Sequence, residues 1–265
     1  MSQIYLTDKG ELAYYEKKAT PQFWDQHWEI EDLRKHILSC TSDGLFLPFV
    51  KKYLPQGSRI LEGGCGRGNL VNALQCQGYK AIGVDFAQQT VAKANDAVPE
   101  LDIREADVRN LPFKTNNFDG YISAGVIEHF WNGYDKILLE MKRVIKPGGF
   151  LFLSFPYMSP IRKLKSKIKI YESKSTIELQ DETERFYQFA LDKDNVIKDL
   201  RLAGFVPVQT KSFDGIKGFK DELTLFKLIL QPIYDGKILN RIRPFLDVLL
   251  KPFASHCVLL VLKNE

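Results

Sequence analysis

The sequence predicts an α/β fold: a doubly wound, seven-stranded, mostly parallel sheet, with an N-terminal helical cap and a helical insert before the last strand. Three observations carry this. Residues 60–70 read as a short apolar strand, a glycine-dense turn and a helix start. Strand-like apolar runs then alternate with helical stretches to about residue 155, as a parallel sheet with crossover helices requires. Two further strand-like runs, residues 205–213 and 257–262, bring the number to seven.

The glycine turn is the most informative element. Its run Gly64-Cys65-Gly66-Arg67-Gly68 has the spacing G-x-G-x-G, not the G-x-G-x-x-G that presents amides to a dinucleotide pyrophosphate. Glu62 ends the strand before it. A carboxylate there suits a ligand that brings an ammonium group rather than a phosphate. The second strand, residues 80–85, ends on Asp85, and an acid at that place accepts hydrogen bonds from ribose hydroxyls. A third strand is expected at residues 103–108, a fourth at 118–125 and a fifth at 150–155.

The motifs E-G-G-C-G-R-G (62–68), G-V-D-F (83–86), E-A-D-V-R-N-L-P-F (105–113), N-N-F-D (116–119), V-I-E-H-F (126–130) and V-I-K-P-G-G-F (144–150) occur in order. With them the chain resembles the class I S-adenosylmethionine-dependent methyltransferases, closest to the branch that methylates small molecules. That family's fold is a Rossmann-like sheet. The resemblance covers residues 55 to 155 closely and the two last strands more loosely.

The resemblance implies S-adenosylmethionine as cofactor and assigns roles. Glu62 meets the methionine ammonium, with Gly63, Gly64, Gly66 and Gly68 forming the loop beside it. Asp85 takes the ribose hydroxyls and Phe86 packs on adenine. Asp107 accepts from the adenine amino group, with the Val108 amide at a ring nitrogen. Ala124 and Gly125 line the methionine end. Family members often carry Asp where this chain has Glu62, a swap that keeps the charge. His129 is the candidate general base, since a hydroxyl nucleophile needs one and histidine is the usual choice; Glu128 is expected to be structural. Trp24 and Trp28 lie four apart on one helical face, and Trp24 is expected to help enclose the cofactor, cations being attracted to aromatic faces.

Composition narrows the class. The chain has 265 residues, 45% hydrophobic and 26% charged, with a formal net charge of +4. That charge is too mild to point to nucleic acid, and Ser123-Ala124-Gly125-Val126 replaces the Asn/Asp-Pro-Pro-aromatic motif of amino-methylating DNA enzymes. Cys40, Cys65, Cys76 and Cys257 form no C-x-x-C pair, which fits reduced thiols and a cytoplasmic protein. No histidine spacing suggests a metal, and no run of 18 apolar residues suggests a membrane span.

Residues 1–50, rich in aromatics, are expected to form the helical cap, and residues 51–265 a single methyltransferase domain. Residues 161–174 show helical apolar spacing with lysines on the other faces, and residues 187–203 read as a helix ending at Gly204. The insert at about 215–255 is strongly apolar, and Pro232, Pro244 and Pro252 are expected to divide it into short helices. A self-covering lid or a homodimer contact is expected for it, with peripheral membrane contact as the alternative. The expected reaction is methyl transfer to O, N or C of a small-molecule, saccharide or lipid-linked acceptor. The rival readings are an NAD(P)-dependent oxidoreductase and a non-catalytic methyltransferase-like module.

Overall fold

A computed structural model describes residues 2–239 and 241–265. In chain order the elements are β1 (Ser2–Leu6), β2 (Glu11–Tyr15), α1 (Pro21–His27), α2 (Leu33–Ser39), α3 (Leu47–Tyr53), β3 (Arg59–Gly63), α4 (Asn69–Cys76), β4 (Lys80–Asp85), α5 (Gln88–Ala97), β5 (Ile103–Glu105), β6 (Phe118–Ala124), α6 (Asp135–Val144) and β7 (Ile145–Pro156). There follow α7 (Pro160–Lys167), β8 (Glu172–Lys174), β9 (Phe186–Ala190), α8 (Lys193–Leu202), β10 (Phe205–Phe213), α9 (Gly215–Glu222), α10 (Thr224–Tyr234), α11 (Arg243–Ala254) and β11 (Cys257–Asn264). Short 3-10 turns lie at Ile127–His129 and Ile177–Arg185.

The chain forms two compact units. The larger holds residues 18–153, 197–209 and 260–265. Most of the seven-stranded sheet belongs to it, in the order β10-β11-β7-β6-β3-β4-β5. The Rossmann-like doubly wound sheet expected from sequence is therefore present. β3 pairs parallel with β4 on one side and β6 on the other. Strand order reverses there, which is where open α/β sheets bind ligands, beyond the carboxyl ends of the strands. Ile60, Leu61, Val84, Tyr121, Ile122, Leu151 and Phe152 are buried, so the sheet is covered on both faces and reads as near-continuous apolar runs. α1 starts where sequence chemistry places it: the Thr20 side chain accepts from the Phe23 amide at 3.1 Å, and Pro21 takes the first turn.

The smaller unit holds residues 1–17, 154–196 and 210–259. Its four-stranded sheet has the order β8-β1-β2-β9. The first fifteen residues are thus a β-hairpin, not helix; Leu6, Leu12 and Ala13 alternate or run into the core, and β2 gains a second partner in β9. The expected helices are shorter for related reasons. α7 ends at Lys167 because Lys169 takes a left-handed φ of 56°, and residues 172–174 join the sheet. Residues 186–190 pair with β2, so the helix before Gly204 starts only at Lys193. Residues 215–255 do form helices, but Pro232 and Pro252 sit inside them, each near the C-terminal end where few carbonyls are left to lose a donor.

A buried ionic network ties this unit together. Arg162, fully buried, donates to Glu222 Oε1 at 2.8 Å, to the Tyr157 carbonyl at 2.7 Å and to His256 Nδ1 at 3.0 Å. Lys165 and Tyr171 donate to Glu222 Oε2. Burial alone would raise the Glu222 carboxyl, but Arg162, Lys165 and Tyr171 together hold it below its ordinary value. Burial, then Arg162, Lys217 and Lys220, push the His256 imidazole well down, so it stays neutral. Arg162 faces Nδ1 at 3.0 Å and Lys217 faces Nε2 at 2.8 Å; both cations only donate, and a neutral imidazole has one acceptor nitrogen, so the ring accepts from one of the two.

α9 and α11 lie close enough that a Cβ on Gly218 would sit 1.7 Å from the Ala254 carbonyl oxygen. Gly218→Ala is therefore expected to destabilise the smaller unit by roughly 1–3 kcal/mol, the range for overpacking. Thermal melting with limited proteolysis of the 210–259 region checks this; an unchanged melt would mean that the two helices separate freely.

Candidate functional site

The turn after β3 is built by its neighbours. The Gly64 and Cys65 amides both donate to the Val84 carbonyl, at 2.8 and 3.0 Å. Asp85 Oδ2 accepts from the Gly66 amide at 2.8 Å and its Oδ1 from the Ala87 amide at 2.9 Å. The loop is thus pinned to the end of β4. Gly64 has φ +78°, and a Cβ there would meet Val126 Cγ2 at 2.5 Å, so only glycine fits.

Beyond this turn lies a cavity with about 690 Å³ of empty space, part of it open to solvent. Its walls come from the carboxyl ends of β3, β4, β5 and β6 and from α1. Of the residues singled out from sequence, Gly64, Asp85, Phe86, Asp107, Val108, Ala124, Gly125, Trp24 and His129 line it. Glu62, Gly63, Gly66 and Gly68 do not. Gly63 faces Tyr121, Gly66 faces Trp28, and Gly68 packs on Ile103 as the residue before α4.

Glu62 is buried at the end of β3, and its Oε2 has no hydrogen-bond partner. Burial, and then the charges of Asp85 and Asp43, raise its carboxyl well above the ordinary value; a hydrogen bond from the Val71 backbone opposes them. Burial likewise raises Asp85, against the amides of Ala87, Gly66 and Phe86 that favour its ionised form. Asp107 behaves oppositely. Burial raises it, but hydrogen bonds and charge from Arg109 outweigh burial and leave it lowered. Arg109 Nε lies 3.0 Å from both Asp107 oxygens, and its amide donates to Oδ1 at 2.8 Å.

The aromatic wall follows the helical spacing. Trp24 and Trp28 stack at 5.9 Å with planes 20° apart. Trp24 meets His129 edge-on at 5.1 Å. His129 therefore sits in the cavity wall, held against an indole. Its neighbour Glu128 is buried, its Oε2 is unpartnered, and burial pushes its carboxyl up to about 8. Arg109 and Phe130 also line the cavity, with the guanidinium 5.3 Å from the ring centroid. The sequence carried a signal for Arg109 in the Asp107-x-Arg109 spacing; none marked Phe130 beyond its being the aromatic after His129.

The residues fit a cofactor with an adenosyl group and a cationic amino-acid end. Glu62, with one unpartnered oxygen, is buried behind the turn, the turn has no side chain in the way, and acids and aromatics line the cavity. Residues 61–153 match the methyltransferase domain family. A probable S-adenosylmethionine-dependent methyltransferase of Mycolicibacterium smegmatis is 33% identical over 100 residues, 38% of each chain. The phthiotriol/phenolphthiotriol dimycocerosates methyltransferase of Mycobacterium leprae is 27% identical over 171 residues, 61% of this chain and 62% of that one. The chain thus spans less than two thirds of these curated relatives. In fold, it is similar to geranyl diphosphate C-methyltransferase from Streptomyces coelicolor A3(2), with a TM-score of 0.57 at 14% identity over 94% of this chain and all of that one. That structure contains S-adenosyl-L-homocysteine. The ordered motifs and the match over residues 61–153 together identify a methyltransferase domain of the class I S-adenosylmethionine-dependent kind in this chain.

Proposed function

We propose that this protein catalyses methyl transfer from S-adenosylmethionine to O, N or C of a small-molecule, saccharide or lipid-linked acceptor. The observation that carries the reading is Glu62: a fully buried carboxyl at the end of β3 with an unpartnered oxygen, beside a glycine turn that opens on the cavity. A buried carboxyl oxygen without a partner is costly unless a ligand supplies one. A cofactor ammonium would do so, whereas a dinucleotide pyrophosphate would meet a like charge. The cofactor, when bound, supplies a methyl group made electrophilic by its sulfonium sulfur.

The chain's own residues then hold and align. Asp85 keeps lone pairs for ribose hydroxyls after taking two amides, since an ionised carboxylate has about four acceptor sites. Phe86, Val108 and the Asp107 carboxylate receive the adenine. Trp24 and Trp28 exclude water and present ring faces to a cation. His129 takes the proton from an acceptor hydroxyl, and alignment of that hydroxyl with the methyl supplies much of the rate. The four free thiols support a cytoplasmic setting.

Three outcomes are expected. Asp85→Asn should weaken S-adenosylhomocysteine binding by roughly 1.5–3 kcal/mol, the scale of hydrogen bonds to a charged group; it should also lower the melting temperature, because the same oxygens hold the Gly66 and Ala87 amides. Calorimetry measures the first effect, and absence of any binding at millimolar ligand would sink the cofactor assignment.

Glu62 gives a pH signature. Its raised carboxyl is protonated well above the ordinary carboxylate range, and an incoming ammonium favours the ionised form. Binding should therefore release a proton and strengthen as pH rises through that raised value, weakening as pH falls. Titrations in buffers of different ionisation heat read the proton count; Glu62→Gln should abolish it. If the wild type releases no proton, Glu62 does not meet the ammonium.

His129→Ala should lower turnover on a hydroxyl acceptor by roughly 10²–10⁴-fold with cofactor affinity nearly unchanged. Single-turnover rates against binding constants separate the cases: lost affinity with normal chemistry would make the residue a wall and nothing more.

A further inference from the structure

Two helices of the smaller unit have an inverted polarity. On α10, Leu225, Leu228 and Ile229 are exposed at 89%, 87% and 63%, at the spacing i, i+3, i+4 of one helical face. On α11, Phe245, Val248, Leu249 and Phe253 repeat the pattern at i, i+3, i+4 and i+8 and are all more than half exposed. Both helices pack by their other sides on α9: Phe219 meets Phe226 at 5.4 Å, and Gly215 and Gly218 admit the backbone of α11. The expected self-covering lid is not what the helices form. Their apolar stripes face outward, where a surface helix ordinarily carries charge.

The charges around the stripes say what covers them. Residues 160–174 and 215–255 hold thirteen Lys and Arg against five Asp and Glu, a net +8 where the whole chain has +4, which leaves the remainder at −4. The acids of the insert are engaged by neighbouring cations: Asp221 with Lys217 and Lys220, Asp235 with Lys237 at 3.5 Å, Asp247 with Lys251 at 2.9 Å, Glu222 with Arg162 and Lys165. Lys227, Arg241 and Arg243 are exposed and interleaved in sequence with exposed Leu228, Ile229 and Ile242. A second copy of the chain would pair this face with itself across a two-fold axis and set positive against positive. An anionic surface meets both features at once.

We propose that α10 and α11 dock this protein on an anionic lipid surface, their leucines and phenylalanines entering the headgroup region and the lysines and arginines facing lipid phosphates. Among the described residues no helix is long and apolar enough to cross a membrane, so the contact is peripheral. The inference is independent of the methyl-transfer reading, and its test does not use the cofactor.

The test is flotation of the full chain with phosphatidylcholine vesicles, with and without phosphatidylglycerol, at low and high salt. The wild type should float with the anionic vesicles only, and salt should release it. Lys227→Gln with Lys237→Gln and Arg241→Gln should weaken partitioning on the order of a hundredfold, three surface charges being removed. Leu228→Ser with Phe245→Ser should abolish it with an unchanged melting curve, because both side chains are exposed. A wild type that stays unbound, or that binds both vesicle types alike in any salt, overturns the proposal. So does a sedimenting dimer that the Leu228→Ser and Phe245→Ser protein no longer forms, since a second copy would then be the cover.

Discussion

Everything at the candidate site depends on Asp85. The glycine turn after β3 has no side chains to order it, and order comes from the next strand: the Val84 carbonyl takes two of its amides and the Asp85 carboxylate a third. One residue thereby closes β4, fixes the turn and starts α5 through the Ala87 amide. The charge of a carboxylate is what makes this possible. It accepts from two directions and still has capacity facing the cavity.

The electrostatics around that turn are uneven by design of the burial. Asp107 is exposed enough to meet Arg109 and is held ionised, while Glu62 and Glu128 lie behind the cavity wall with unpartnered oxygens and raised carboxyls. The cavity therefore carries less negative charge than its acids suggest. A cation entering it changes the protonation of its host, because ionising a buried acid becomes favourable only once the opposite charge is near.

How much of this was legible in the chain follows the range of the interactions. Gly64, Asp85, Asp107, Gly125 and His129 stand at strand ends, and local spacing reveals strand ends. The sheet was legible for the same reason, down to Phe205–Phe213 as a strand. The hairpin of Ser2–Leu6 with Glu11–Tyr15 was not, since its partner β9 lies about 170 residues away and aromatics at its positions suit helix and strand alike. The end of α7 was hidden too: only the left-handed backbone of Lys169 stops it, and no glycine announces it. Phe130 reaches the cavity by loop geometry, for which sequence has no period.

The prolines of the insert set a limit that its leucines alone would not. Pro232 and Pro252 lie inside α10 and α11 and have no amide hydrogen, so the carbonyls of Leu228 and Val248 lose their helical donors. In hydrocarbon a bare carbonyl has nothing to bond, whereas among hydrated headgroups water serves it. Both carbonyls belong to residues of the outward stripes. For the proposed docking, backbone chemistry would then limit depth: the helices would lie at the level of glycerol and phosphate rather than below it, and contact with a bilayer would stay shallow and reversible.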